Sequence, residues 1–344
     1  MDFQPQRPGP VGLHSGRHTS QIPIDENATV SSVYGLVAAE MASSERLLHD
    51  LVSSTIPAVT EISHYLSMAG GKRLRPMLTA LGARAVGFEG KLERLMCVGE
   101  MLHLGSLLHD DVVDDGQERR GKPAAQKVYG NPAVILTGDY CFARGVAIAA
   151  EDGGLTAVTA LAHTVTQMSE GEVLQLLNEG NLELDLDTYM SIIDKKSAAL
   201  VAWCAAAGAW AKEDMEAGEA LRTFGHNVGI AFQIADDVLD YVGEKRFTGK
   251  RRGKDLAQRK FTLPLLIAMD RVPSLRERLS VGNPSPERIP ALIAEVRECG
   301  AADEAIRIAQ ERVDIAVESL SVLPLSPERE ALEALAHFVV QRSR

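Results

Sequence analysis

Apolar residues recur along most of this chain every three or four positions, the period of a helix with one buried face. From residue 33 onward Leu48, Leu51, Ile56 and Val59, then Ile62, Tyr65 and Leu66, keep that spacing until Gly70 and Gly71 interrupt it, which predicts helix followed by a glycine loop. Residues 91–111 carry Leu95, Cys97, Val98, Leu102, Leu107 and Leu108 without a proline and predict a long, largely buried helix that ends in acid. Further helices are expected over 132–151, 155–177, 188–212 and 217–242, the last again acidic near its end. The Gly-, Lys- and Arg-rich stretch 243–260 reads as a loop before a helix at 261–269. The proline-punctuated stretch 273–290 reads as a second loop before two or three amphipathic helices. No alternation is long enough to build a sheet, so the expected class is all-α. Residues 1–27 lack helical periodicity and are rich in Pro, Gly, His, Arg and Ser; they are expected to form a disordered tail ahead of one domain spanning 28–344.

Composition agrees with helices: 45% of the 344 residues are hydrophobic, mostly Ala and Leu, and only 5% are aromatic. A net charge of -11 argues against general nucleic-acid binding, which needs basic surfaces. The basic residues nevertheless cluster, at Lys72, Arg73 and Arg75, at Arg119, Arg120 and Lys122, and between Lys245 and Lys254. Cys97, Cys141, Cys204 and Cys299 stand far apart, with no zinc spacing and no disulfide framework, which fits a reducing cytoplasm. The uncharged, Ala-rich run 197–211 falls short of the roughly 17 residues that cross a bilayer, and no transmembrane segment is expected.

Two acidic clusters change the picture. Asp110, Asp111, Asp114 and Asp115 end the 91–111 helix, and Asp236, Asp237 and Asp240 repeat the D-D-x-x-D spacing inside the apolar run 230–241. On a helix, positions i and i+4 face the same way about 5 to 6 Å apart, so Asp110 and Asp114 repel each other, at an end where the helix dipole also disfavours anions. One such cluster is equally well read as a solvated helix end. Two in apolar helices breach local consistency in the same way, as functional sites do. Oxygen ligands without Cys or His nearby suit Mg²⁺, which keeps waters and substrate phosphate oxygens in its shell.

The cations suit phosphate. Gly70 and Gly71 before Lys72, Arg73 and Arg75 allow close backbone approach, although a turn with solvated cations has the same composition. Arg119 and Arg120 follow the first cluster closely and could equally neutralise it as surface pairs. Lys196, Ser197, Lys250 and Lys260 are individually unremarked, and His103, two turns before Asp110, is by itself more often structural.

Taken together, GGKRLRP at 70–76, LLHDDVVDD at 107–115, RRGKP at 119–123, GEVLQL at 171–176, AFQIADDVLDY at 231–241, GKDL and KFTLPL resemble the trans-isoprenyl diphosphate synthases, or polyprenyl synthetases, of long-chain type. The resemblance runs from about Gly70 to Pro264 in order and spacing. It implies a bundle of long helices around a central cavity, with both aspartate motifs facing a cluster of three Mg²⁺ ions on an allylic diphosphate. Asp110, Asp114 and Asp236 would be direct ligands, and Asp111, Asp237 and Asp240 supporting carboxylates of the metal site. Lys72, Arg75, His103 and Arg120 match positions for isopentenyl diphosphate; Arg119, Lys196, Ser197, Gln233, Lys250 and Lys260 match the allylic side. Catalysis would fall chiefly to Asp110, Asp114, Asp236, Lys196 and Arg119. Ser197 stands where the family usually has Thr and keeps the hydroxyl, whereas Arg251 stands where Pro is common.

The implied reaction is a 1'-4 prenyl transfer. Gly105 and Ser106, five and four residues before Asp110, stand where short-chain members carry bulky aromatics, so the shaft for the growing tail is expected to be open and the product hexaprenyl to decaprenyl, unless Leu102 forms a floor. A shorter-chain (farnesyl or geranylgeranyl) synthase and the catalytic subunit of a heteromeric synthase are the alternatives. A terpene cyclase fits less well, because the second motif is aspartate-rich and a second diphosphate site is present. The resemblance also implies a homodimer.

Overall fold

The structure, a computed structural model, describes residues 32–67, 73–119, 121–243, 253–282 and 284–341. The chain runs through α1 (Ala38–Leu51), α2 (Pro57–Ser67), α3 (Leu74–Ala85) and α4 (Leu92–Val113), then a hairpin of β1 (Glu118–Arg119) and β2 (Lys122–Pro123). There follow α5 (Ala125–Tyr129), α6 (Asn131–Asp152), α7 (Gly154–Leu177), α8 (Leu186–Ile193), a π-helical turn (Asp194–Ala198), α9 (Ala199–Ala211) and α10 (Met215–Val242). The last third holds α11 (Lys254–Ala257), α12 (Leu263–Arg271), α13 (Pro273–Ser280), α14 (Ile289–Glu298), α15 (Ala301–Ser319), a 3₁₀ turn (Leu320–Val322) and α16 (Pro327–Gln341).

The Ala-rich α9 has no polar face, and every residue from Ala199 to Trp210 is buried. A helix apolar all round belongs in a core. It is enclosed by α3, α4, α7 and α10, and α10 in turn packs along α15. Small side chains set the spacing: a Cβ added at Gly82 would lie 2.1 Å from the Ala205 carbonyl oxygen, and one at Gly208 2.3 Å from the Ala83 methyl. The backbones approach so closely that a single methyl group at either position would push helices apart.

Three expectations are corrected. The helix expected over 188–212 is interrupted by the π turn at Asp194–Ala198, a single wide turn of the kind often found at functional sites. Part of the expected loop at 273–290 is helix α13, because Pro273 opens a helix rather than breaking one; its missing N–H would be unpaired in the first turn anyway. The hairpin pairs Glu118 with Pro123 and Arg119 with Lys122, a ladder too short for periodicity to betray. Among the described residues α6 is long and apolar enough by composition to cross a membrane, but it packs lengthwise against α4 and α7 within the bundle. The expected tail at 1–27 and the departure at Arg251 lie outside the described residues.

Candidate active site

Both acid clusters lie at the C-terminal ends of helices, α4 and α10. The chain after α10 connects them. Asp240 accepts hydrogen bonds from the Lys254 and Asp255 amides at 3.1 and 3.0 Å, and so caps α11. The Lys260 amide donates to the Asp255 carbonyl at 2.8 Å. The turn thus fixed delivers the Lys260 ammonium to Asp114, 3.2 and 3.3 Å from its two oxygens. The second cluster therefore positions a cation on the first.

A second link runs through the π turn. Lys196 pairs with Glu172 of α7. That contact exists because Gly171 lets α7 close on the turn: a Cβ there would sit 2.5 Å from the Lys196 amide nitrogen. Ser197 donates to Gln233 Oε1 at 2.9 Å, and Gln233 Nε2 donates to Asp237 Oδ1 at 2.8 Å. The Tyr189 hydroxyl donates to the other oxygen, Asp237 Oδ2, at 2.6 Å.

The carboxylates fall into two sets. Asp111 is buried, with Oδ1 held by Arg119 Nε and Oδ2 by the Ala125 amide at 3.1 Å. Like Asp111, Asp237 and Asp240 meet protein donors on both oxygens. Asp110 and Asp236 are half-buried beside these braced neighbours, and Asp114 carries the Lys260 contact.

Burial pushes the Asp110 carboxyl up to about 6; Lys196 and Arg119 oppose the shift, while Glu172 and Asp114 add to it. Burial also holds Asp237 well above the carboxylate range, and the neighbouring charges of Asp255 and Asp236 act in the same direction. Anions crowded into a partly dry site call for a cation. Among the described residues no three His, Cys, Asp or Glu side chains form a cage for a metal on protein atoms alone. An open set of hard oxygens fits Mg²⁺, which uses one or two carboxylates together with waters and substrate phosphates.

A basic patch lies further up α4. Arg75 packs on Gly99, where a Cβ would lie 3.4 Å from the Arg75 Cβ, and its Nη1 is 4.0 Å from Glu100 Oε1. Arg73, in the left-handed region at φ 48°, binds the other Glu100 oxygen at 2.8 Å and Glu45 at 2.5 Å. Gly99, His103, Ser106 and Asp110 follow one another at helical spacing, so the patch and the first cluster share a stripe of α4.

The same helical phase separates two of the expected residues. Ser106 lies on the Asp110 stripe, half-buried, with its hydroxyl donating to the His103 carbonyl at 2.9 Å. Gly105 faces α6: a Cβ there would meet the Gly138 carbonyl oxygen and the Phe142 ring, both at 3.0 Å, so its small size admits the α4–α6 contact. Leu102, fully buried, also turns toward α6, against Gly145. Lys72, Arg120 and Lys250 lie outside the described residues. Tyr189, Glu172 and Glu100 had not been singled out from the sequence; only Glu172 carried a signal, its place in the GEVLQL stretch.

A helical bundle in which the turn after one aspartate motif delivers a cation to the other is the arrangement expected of a prenyl-transferring enzyme. A family model described as polyprenyl synthetase matches residues 56–296, and the chain belongs to that family. It is 37% identical over 318 residues to octaprenyl diphosphate synthase of Escherichia coli, covering 90% of this chain and 98% of that protein. It is 36% identical to a short chain isoprenyl diphosphate synthase of Methanothermobacter thermautotrophicus over 88% of this chain and 96% of the relative. Among solved structures, the crystal structure of polyprenyl synthase from Caulobacter crescentus, complexed with calcium and isoprenyl diphosphate, superposes with a TM-score of 0.86 at 38% identity, covering 92% of this chain and 98% of that one.

Proposed function

We propose that this enzyme condenses isopentenyl diphosphate with an allylic diphosphate, in a Mg²⁺-dependent 1'-4 reaction, to make a long-chain trans-polyprenyl diphosphate. The observation that supports the reading is the Asp240–α11–Lys260–Asp114 connection, by which the second acid cluster fixes a turn whose lysine meets the first. Asp110, Asp114 and Asp236 hold the metal, three ions with substrate bound, and Asp111, Asp237 and Asp240 brace them. When bound, magnesium supplies the positive charge that stabilises the departing diphosphate.

Arg119, Lys196, Lys250 and Lys260, with Ser197 and Gln233, grip the allylic diphosphate and stabilise its charge as the carbon–oxygen bond ionises. Lys72, Arg75, His103 and Arg120 hold the isopentenyl diphosphate so that its double bond meets the allylic carbon. Closure of the buried helices behind Asp110 keeps water from the cation. The proton lost in forming the new double bond passes to the departing diphosphate while the cations still hold it.

Relatives of nearly equal identity make products of different length, so identity alone does not set the product. Ser106 on the Asp110 stripe favours a long tail, hexaprenyl to decaprenyl, because it is small where a bulky ring would block the path. We also propose that residues 28–344 act as one domain, in the cytoplasm, as a homodimer joined through the apolar side chains exposed on α6 and α7, such as Leu136 and Leu177. The test is incubation of the purified chain with labelled isopentenyl diphosphate and a series of allylic primers, with and without a magnesium chelator, followed by chromatographic sizing. Absence of magnesium-dependent elongation by the chain alone would overturn the reading.

A further inference from the structure

We infer that Tyr189 is a positioning residue for the second aspartate cluster, acting through Asp237. Tyr189 lies on α8, outside both aspartate motifs, with 3% of its surface exposed, and its hydroxyl reaches Asp237 Oδ2 at 2.6 Å. Asp237 is itself only 4% exposed. Its other oxygen is taken by Gln233, and Gln233 is held by Ser197, so a chain of three hydrogen bonds runs from Ser197 to Tyr189.

One end of this chain lies just before the π turn and the other within it. Tyr189 precedes the turn on α8, Ser197 lies within it, and both converge on α10. Single π turns are rare and frequently found at functional sites. Here hydrogen bonds tie the turn and the helix before it to the second acid cluster, and they fix the rotamer of Asp237. Asp236 is adjacent to Asp237 on the same helix and Lys196 to Ser197 on the same turn, so Tyr189 holds in register the two backbones that carry the carboxylate and the ammonium proposed above to meet the diphosphate. Hydrogen bonds to groups surrounding a metal's ligands commonly govern affinity by about 10- to 100-fold without touching the metal.

A tyrosine that merely filled the core would affect stability and nothing else. The inference rests on the magnesium site proposed above, so its test carries a control for that site. Magnesium is titrated by calorimetry into wild type, Tyr189→Phe and Asp236→Ala in the presence of inorganic pyrophosphate, and melting is followed by circular dichroism. Tyr189→Phe is expected to weaken magnesium binding about tenfold, with lower kcat and an unchanged KM for isopentenyl diphosphate. Asp236→Ala is expected to abolish binding. Wild-type affinity in Tyr189→Phe beside loss in Asp236→Ala overturns the inference and leaves the site standing; wild-type affinity in Asp236→Ala overturns both. Should Tyr189→Phe not fold, 3-fluorotyrosine at position 189 keeps the hydroxyl, and its fluorine resonance is expected to move as magnesium and pyrophosphate are added. A resonance that stays still overturns the inference.

Discussion

The two aspartate clusters share a spacing but not an environment. At the end of α4, Asp111 is braced by a cation, Arg119, and Asp114 meets another, Lys260. At the end of α10, Asp237 is braced by neutral donors, Tyr189 and Gln233, and Asp240 by backbone amides. The first cluster is thus held by charge together with the Ala125 amide, the second by neutral hydrogen bonds alone. Equal motifs therefore sit in unequal surroundings, cationic at the end of α4 and neutral at the end of α10.

The sharpest way to break this comparison is to remove one ligand from each side. Asp110→Ala and Asp236→Ala are each expected to lower magnesium-dependent diphosphate release on the order of a thousandfold. Near-normal turnover in either variant would show that its cluster does not share the metal.

Next in size is a change of product rather than of rate. Ser106→Phe puts a ring on the Asp110 stripe and is expected to shorten the product to about farnesyl or geranylgeranyl length in a chain-length assay. Gly105→Phe is expected instead to force α4 from α6, costing roughly 1 to 3 kcal/mol of stability. If Gly105→Phe shortened the product with an unchanged melting temperature, the tail would run along the α6 side of α4.

That pair of residues also shows what the sequence made legible. Periodicity revealed the helices and their order, because each must bury one face, and spacing revealed both acid clusters, because D-D-x-x-D within apolar flanks contradicts the core around it. A glycine is ambiguous: smallness at 105 is as consistent with an open shaft as with a tight helix crossing, and the nearness of Gly138 and Phe142 becomes visible only in the fold. Tyr189 was invisible, and Glu172 showed only through its place in the GEVLQL stretch, for a related reason. Their partners, Asp237 and Lys196, lie far along the chain, and the π turn that aligns them leaves no periodic signature. Pro273 was misread because a proline that starts a helix looks, in one dimension, like one that ends it.

A smaller effect separates the two kinds of bracing. Asp111→Asn takes the charge partner from Arg119 and is expected to cost about 2 kcal/mol, read as a lower urea midpoint. Asp237→Asn is expected to leave the midpoint unchanged or raise it, because burial, and then the charges of Asp255 and Asp236, disfavour its charge while its side-chain partners are neutral. Equal losses in both variants would mean that the clusters are braced alike.

The smallest effect is in pH. Burial raises the Asp110 carboxyl in the folded protein from 3.8 to about 6, so between those values the folded state binds more protons than the unfolded one. Stability rises with pH only where the unfolded state binds more, so here it must fall. The contribution is intact below about 4, is lost as pH rises through about 6, and is on the order of 1 to 2 kcal/mol after allowance for partial solvation. Other carboxylates titrate in the same range, so the measurement is the difference in stability between wild type and Asp110→Asn. Asp110→Asn is expected to gain on wild type from about pH 4 to 6 and then hold level. Magnesium with pyrophosphate should erase the gain, because metal and proton compete for the same oxygens. A difference independent of pH would place Asp110 in open solvent and make the first cluster a charged helix end with no stored repulsion for a metal to relieve.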